Sequence, residues 1–234
     1  MIKFFRKIRY DLMIKNKTGK YFKYAIGEIV LVVVGILIAL SINNWNSKQI
    51  ERREEITSYK NIKRQLKDDK NAISGIINYN NLYYKQYEYA NQIIEQNEQS
   101  KIDTLGKIAL KLYQYSDYNR SSNIYQNLIN SGEIKLLKNR DIIERIQGLE
   151  EIYIYINRME KIHWEVIMGG AHIDIQKTIK MSDRSVRKPE ELFGIDFQNH
   201  FVGMMGIMRE KDGIYLRAIN EIEIIIELVD EELK

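Results

Sequence analysis

The chain has 234 residues with no Cys, a single Pro and 16 Tyr, and it is 44% hydrophobic and 29% charged. This composition excludes disulfide-rich, collagen-like and intrinsically disordered classes. Residues 1–25 contain eight Lys or Arg and one acid, a net charge of +7, so residues 26–234 carry +4 − 7 = −3. Because the positive charge is confined to the N-terminus rather than spread over a folded body, we expect no nucleic-acid partner.

One segment near the N-terminus is strongly apolar. In residues 29–42, eleven of fourteen side chains are Leu, Ile or Val, and no charge follows this run until Lys48. Counted over residues 25–45, the segment is about 31 Å long as a helix, which is enough to cross the hydrocarbon core of a bilayer. Tyr24 and Trp45 lie at its two ends and predict aromatic anchors at the membrane surfaces.

The apolar segment could also be a signal peptide, because Ala39-Leu40-Ser41 is an acceptable cleavage site. The long polar region before it and Glu28 at its start favour an uncleaved anchor. Basic residues lead the segment, so the positive-inside rule predicts a single-pass protein with a cytoplasmic N-terminus. The predicted order is a cytoplasmic basic arm (1–24), a transmembrane helix (25–45), a stalk and first bundle helix (46–100) and the rest of an outer bundle (101–234).

The outer region shows helical periodicity. Apolar residues recur at steps of three and four over residues 59–94, 142–173 and 197–229, with Asp69 and Asn80 in two slots of the first stripe. Three such stripes can cover one another, so we predict an all-α fold in which the membrane helix is followed by an antiparallel helical bundle. Gly75 lies inside the first stripe and weakens the helical pattern locally, and Gly213 is a candidate interruption of the third stripe. A helix end is expected near Lys180 and a connecting loop at 181–191. Predicted helix caps are Asp103 or Thr104, Ser121 or Ser122, and Gly132.

Two stretches resemble a known family. The string YAIGEIVLVVVGILIALSINNWN (24–46), preceded by MIKFFRKIR, resembles the N-terminal signature of an uncharacterised Bacteroidetes family of small single-pass membrane-anchored proteins, a domain of unknown function. A further resemblance lies in IYQNLINSGEIKLLKN (124–139), with its Ser-Gly step between short helices. The resemblance implies an inner-membrane anchor, a mostly helical periplasmic region and a Gram-negative host. It implies no activity, substrate or catalytic residue.

The membrane helix carries candidate contact residues. Glu28 is costly at the edge of a bilayer, and such acids are often functional. It could instead lie at headgroup depth beside a lysine or a lipid amine. Gly27, Gly35 and Ala39 predict a small-residue face, and the spacing from Gly35 to Ala39 suits close contact with another membrane helix.

Five tyrosines at positions 79, 83, 84, 87 and 89 crowd one stretch of helix. These are too many for a single buried stripe, so some are expected to be exposed. Exposed tyrosines favour protein interfaces, and a ligand pocket would use the same chemistry. Packing beneath loops is the alternative. Tyr83, Tyr84 and Tyr87 are therefore the predicted partner surface.

The sequence contains no catalytic signature: neither a P-loop, a G-x-S-x-G elbow, a G-x-G-x-x-G nor an H-E-x-x-H occurs, and a thiol nucleophile is absent. His163 lies on the second stripe and is predicted to be a core histidine rather than a metal ligand. We expect no enzyme, cofactor or metal. The predicted function is an interaction or accessory subunit of an envelope complex, in contact with lipid and with an envelope protein or a second copy. The alternative is a ligand-sensing bundle that signals through a partner.

Overall fold

The computed structural model describes residues 6, 10, 18–118 and 123–234. Two compact units are present, Met1–Glu54 and Glu55–Lys234. Most of the predicted basic arm lies outside the described residues. The predicted cap residues Ser121 and Ser122 also lie outside them.

The described chain is almost entirely helical, which confirms the all-α prediction. The main elements follow in chain order. They are α1 (Thr18–Glu95), α2 (Ile102–Ala109), α3 (Ile124–Ser131), α4 (Arg140–Val166), a π-helical turn (Ile167–Ala171), α5 (His172–Thr178), β1 (Ile179–Lys180), β2 (Ser185–Val186), α6 (Pro189–Leu192) and α7 (Ile195–Glu232). Short 3-10 turns occur at Gln99–Lys101, Leu110–Tyr113 and Glu133–Lys135.

The first unit contains the apolar part of α1. This helix is long and apolar enough to cross a membrane, and none of its most apolar 18-residue window is buried. The large aliphatic side chains between Ile26 and Ile42 are all exposed, as are Tyr24 and Trp45. An unburied run of this kind is stable in lipid and unstable in water.

The second unit is an antiparallel bundle, as predicted. Lys70 of α1 pairs with Glu223 of α7 at 2.6 Å, and Arg145 of α4 pairs with Glu221 of α7 at 2.8 Å. Residues 96–139 connect α1 to α4 and return along the bundle as α2, an extended stretch and α3. The bundle therefore has four members that alternate in direction, and the second member is broken.

Two hydrophobic clusters form the core. The Tyr59 cluster joins Tyr59, Leu66, Leu128, Ile142, Ile146, Ile222 and others from α1, α3, α4 and α7. The Phe201 cluster joins Tyr87, Leu105, Leu112, Ile175, Phe197, Phe201 and others from α1, α2, α5 and α7. Met204 and Met208 belong to the second cluster and are buried. A layer of buried polar side chains lies between the two clusters.

Several helix boundaries differ from the sequence-based ones. Helices α1 and α7 run through Gly75 and Gly213 without a break, since nothing crowds either glycine and the apolar stripe continues on both sides. The helix predicted to end near Lys180 ends at Thr178, and the π turn lies within it. The predicted loop at 181–191 contains the tip of a hairpin, in which Ile179 pairs with Val186, and the start of α6.

The helix caps are partly as predicted. Gly132 ends α3 with φ of 75°, which confirms it as a left-handed cap. The N-cap of α3 is Asn123, whose side chain accepts from the backbone N–H of Gln126 at 2.7 Å. Helix α2 begins at Ile102, directly after a 3-10 turn, so neither Asp103 nor Thr104 is its N-cap.

We predict opposite effects for alanine at two glycines. Gly132→Ala should lower the free energy of unfolding by about 1 kcal/mol, because a Cβ is strained at positive φ. Gly213→Ala should raise it by about 0.5–1 kcal/mol, because alanine is the better helix former and the site is open. Urea unfolding followed by circular dichroism measures both. A Gly132→Ala variant as stable as its parent would contradict the assignment of the cap.

Candidate functional site

The contact face predicted on the apolar part of α1 loses one of its four residues. At about 100° per residue, Glu28, Gly35 and Ala39 lie within about 40° of one another around α1. Gly27 lies about 80–120° away from those three residues, so it does not belong to the same face. Gly35 and Ala39 are exposed, and nothing lies within 4 Å of a Cβ built on Gly35. The corrected face is Glu28, Gly35 and Ala39.

The tyrosine-rich stretch of α1 is more buried than a free partner surface. Tyr87 is fully buried against Phe201, with ring centroids 5.6 Å apart, and its hydroxyl donates to the Lys111 carbonyl at 2.7 Å. Tyr87 therefore belongs to the core, and its assignment to a partner surface is wrong. Tyr83 is half-buried against the Phe201 cluster. Tyr84 is half-buried, and Arg209 lies over its ring at 5.6 Å.

A buried lysine occupies the polar layer between the two clusters. Lys211 of α7 is 1% exposed, and its ammonium group donates to the Ser116 carbonyl at 2.7 Å and the Ser116 hydroxyl at 3.2 Å. The same Nζ lies 3.3 Å from Nδ1 of His163. The rings of Tyr115 and Tyr215 lie 5.3 and 5.9 Å from Nζ, which places aromatic faces against the charge.

A buried carboxylate completes the layer. Glu160 of α4 accepts from the Tyr215 hydroxyl at 2.6 Å and from the Tyr118 backbone N–H at 2.7 Å. The hydroxyl of Ser116, which accepts from Lys211, donates to Asn80 Oδ1 at 2.7 Å. Asn80 in turn donates to Asp212 at 2.7 Å. The layer thus links α1, α4, α7 and the segment between α2 and α3.

Burial sets the protonation states in this layer. It lowers the pKa of Lys211 to about 8, although the negative charge of Glu160 opposes the shift. It lowers the pKa of His163 to about 3, with a smaller contribution from the charge of Lys211. His163 is therefore neutral at neutral pH, and acceptance from Lys211 at Nδ1 places its proton on Nε2. Burial also raises the pKa of Glu160, although the two hydrogen bonds that it accepts act to lower it.

The layer is suited to aligning helices rather than to chemistry on a substrate. Lys211, His163 and Glu160 are each at most 3% exposed, so a substrate cannot reach them in this conformation. Within the described residues, no group of three His, Asp or Glu side chains is arranged to hold a metal ion. Buried polar contacts of this kind are satisfied in only one register of the helices.

A groove of about 800 Å³ lies on the outside of the bundle between α4 and α7. Its walls carry both signs of charge, including Glu144, Glu151 and Arg217. The Arg145–Glu221 pair also lines it. Gly148 leaves room along the α4 wall, because nothing would lie within 4 Å of a Cβ at this position.

Sequence reasoning identified part of the polar layer. Asn80 and His163 were both placed on their stripes, and both are fully buried. Lys211 and Glu160 were missed. The available signal was spacing: Lys211 stands three residues after Met208 and four before Tyr215, which is a core position in the stripe of α7.

The pH dependence of stability tests the environment of Lys211. Between pH about 8 and 10.5 Lys211 holds its proton in the unfolded chain and loses it in the folded chain, so it contributes a free energy of unfolding that rises with pH in that window. The buried tyrosines with raised pKa act in the opposite direction in both the parent and Lys211→Met, so the difference between these two proteins isolates the lysine. From pH 7.5 to 9.5 we expect the free energy of unfolding of the parent to rise by about 2 kcal/mol relative to that of Lys211→Met, in urea unfolding of the full chain in detergent micelles.

The exposed-lysine variant Lys161→Met is the matched control, because that side chain is 77% exposed. It should show the same pH dependence as the parent. An equal pH dependence in the Lys211→Met variant and the parent would show that Lys211 is not the group responsible.

The family of unknown function DUF6090 matches the chain over residues 28–166. The match begins at Glu28 and extends far beyond residues 1–46, where the resemblance seen in the sequence was concentrated. No curated protein and no solved structure matches the chain. Because the family match covers 139 of the 234 residues, the chain belongs to DUF6090.

Proposed function

We propose that this protein is an accessory subunit of an envelope complex in a Gram-negative bacterium. Residues 25–45 anchor it in the inner membrane, with the N-terminus in the cytoplasm and the helical bundle in the periplasm. It acts by binding an envelope protein or a second copy of itself. The observation that carries the proposal is the long apolar stretch of α1, none of which is buried by the rest of the chain.

The charge distribution supports the proposed orientation. Eight Lys or Arg precede the apolar segment within residues 1–25, and the remainder of the chain has a net charge of −3. Basic residues are retained on the cytoplasmic side of membrane helices. The other orientation would require the basic arm to be translocated.

The surface of the bundle supports a binding role. Large apolar side chains at the end of α4, in the π turn and in α5 are 36–48% exposed, namely Ile162, Trp164, Val166, Met168 and Ile173. These side chains lie on more than one side of the helix and offer apolar groups for contact with other proteins along this stretch of the chain. The α4–α7 groove adds a concave surface with charges of both signs.

Topology can be tested cleanly because the chain has no Cys. Lys161→Cys, at an exposed position in the bundle, should react with a membrane-impermeant maleimide in cells whose outer membrane alone is permeabilised. Arg6→Cys should react only after the inner membrane is disrupted. The protein should also resist carbonate extraction and keep its N-terminus. Cleavage before residue 42 or the reverse labelling pattern would refute the proposed anchor.

Partner binding through the membrane helix gives a second prediction. Glu28→Gln and Gly35→Leu should each abolish recovery of the partner after crosslinking in membranes, because they remove a charge contact and block close approach of helices. Val30→Leu adds bulk on the opposite side of α1 and is the matched control. Insertion should be unchanged in all three variants.

Replacement of residues 25–45 by an unrelated membrane helix of equal length completes this experiment. If the segment contacts the partner, the replacement should lose the interaction. Full recovery of the partner with the replaced helix would show that the segment is only an anchor.

A further inference from the structure

We propose that a pocket between α2 and the β1–β2 hairpin binds an organic phosphate. This pocket has a volume of about 500 Å³ and lies in the second unit. Lys107 of α2, Lys111 of the following 3-10 turn and Arg184 of the hairpin line it, and Gln114 adds an amide. Within the part of the chain that the structure describes, no carboxylate lines the pocket. The inference goes beyond the accessory function and does not depend on it.

The cations of the pocket are not neutralised by acids in the described structure. Lys111 donates to Gln86 Oε1 at 2.6 Å and lies 6.0 Å from the Tyr83 ring centroid, and both of these partners are neutral. Neither Lys107 nor Arg184 forms an ion pair with a described residue. Three uncompensated positive charges stand out in a region whose net charge is −3. Mutual repulsion among them would be relieved by a bound anion.

Asp183, the acid next to Arg184, already has hydrogen-bond and ion-pair partners in and beside the hairpin. Asp183 accepts from the Ser185 backbone N–H at 3.0 Å and from the Ser185 hydroxyl, and it pairs with Lys180 and Arg187 at 3.1 Å each. The Ser185 hydrogen bonds and the charge of Lys180 hold the pKa of Asp183 well below its usual range. Asp183 thus fixes the turn and leaves Arg184 without a carboxylate partner.

The backbone at Arg184 is unusual. Its φ is 58°, in the left-handed region where glycine is favoured. A side chain there costs about 1 kcal/mol, and strain of this kind concentrates at functional positions. Glycine would close the hairpin with less strain, but it would remove one of the three charges that line the pocket.

Close packing holds the two walls together. A Cβ on Gly106 would lie 2.6 Å from Cγ2 of Val186, so β2 rests directly on α2 at this glycine. Lys107 follows Gly106 in α2, and Arg184 lies two residues before Val186. The contact therefore sets the separation between the cations of the two walls.

The chemistry of the pocket defines the ligand. A phosphate group carries between one and two negative charges and accepts several hydrogen bonds, which suits two lysines and an arginine. Leu110 and Met181 add apolar surface for an attached organic group. Such a phosphate could belong to a phospholipid headgroup or to a soluble phosphate ester.

Calorimetric titration of the full chain in nonionic detergent micelles tests the proposal. Phenyl phosphate is the soluble probe, and inorganic phosphate should bind more weakly because it lacks the apolar group. Lys107→Gln combined with Arg184→Gln should weaken phenyl phosphate binding at least tenfold. The control, Lys161→Gln with Lys177→Gln, removes the same charge from exposed positions and should change binding less than twofold.

A lipid source is tested by titrating water-soluble short-chain phosphatidylglycerol and, for comparison, short-chain phosphatidylcholine into the same micelles. Binding of phosphatidylglycerol that the pocket variant loses, while the control variant keeps it, identifies the lipid headgroup. Binding of phenyl phosphate alone identifies a soluble ester. Gly106→Ala, which removes no charge, should weaken whichever ligand binds.

Folding of every variant is checked by far-ultraviolet circular dichroism. Failure of both phenyl phosphate and phosphatidylglycerol to bind the parent at millimolar concentration overturns the proposal. Equal binding by the folded pocket variant and the control variant also overturns it.

Discussion

The arrangement of the second unit depends on the contacts of the buried Lys211 ammonium group. Removal of an ammonium from water costs several kcal/mol unless acceptors replace the lost water. Those acceptors come from different elements: the Ser116 carbonyl and hydroxyl from the connecting segment, and Nδ1 of His163 from α4. All of them reach Nζ together in only one alignment of α4 and α7. Apolar packing in the clusters on either side stabilises the bundle but is not directional. The hydrogen bonds of the polar layer are directional, so they select the alignment of the helices.

These contacts also explain why the second member of the bundle is broken. After the 3-10 turn at Leu110–Tyr113 the chain becomes irregular, so its backbone groups lose the partners that a helix would provide. Two of these groups are satisfied by buried side chains: the Ser116 carbonyl by Lys211 and the Tyr118 N–H by Glu160. A continuous helix would use the same carbonyl and N–H internally. Lys211 and Glu160 would then each lose a buried hydrogen-bond partner, at a cost of about 1–3 kcal/mol for each lost partner.

Sequence periodicity predicted the helices because it is a local property, and it placed Asn80 and His163 on buried stripes for the same reason. It failed at Lys211 and Glu160, since a charged residue in a helical pattern normally faces water. Their burial depends on Ser116 and Tyr118, which lie in a segment with no periodicity. Tyr87 was misassigned because composition shows that tyrosines are crowded but not which of them faces the core. The pocket beside the hairpin needed tertiary structure, since Lys107 and Arg184 are 77 positions apart.

The extent of the family match bears on which parts of the chain fold together. Residues 28–166 contain Ser116, His163 and Glu160, but Lys211 lies in α7, beyond the match. Helix α7 also contributes Phe201 and Ile222 to the two clusters, so the matched residues alone would leave both clusters open. The matched residues contribute the Ser116 carbonyl, the His163 ring nitrogen and the Glu160 carboxylate, and α7 contributes Lys211 and Tyr215, which contact them. The core of the second unit is therefore built from the matched residues together with the segment that follows them.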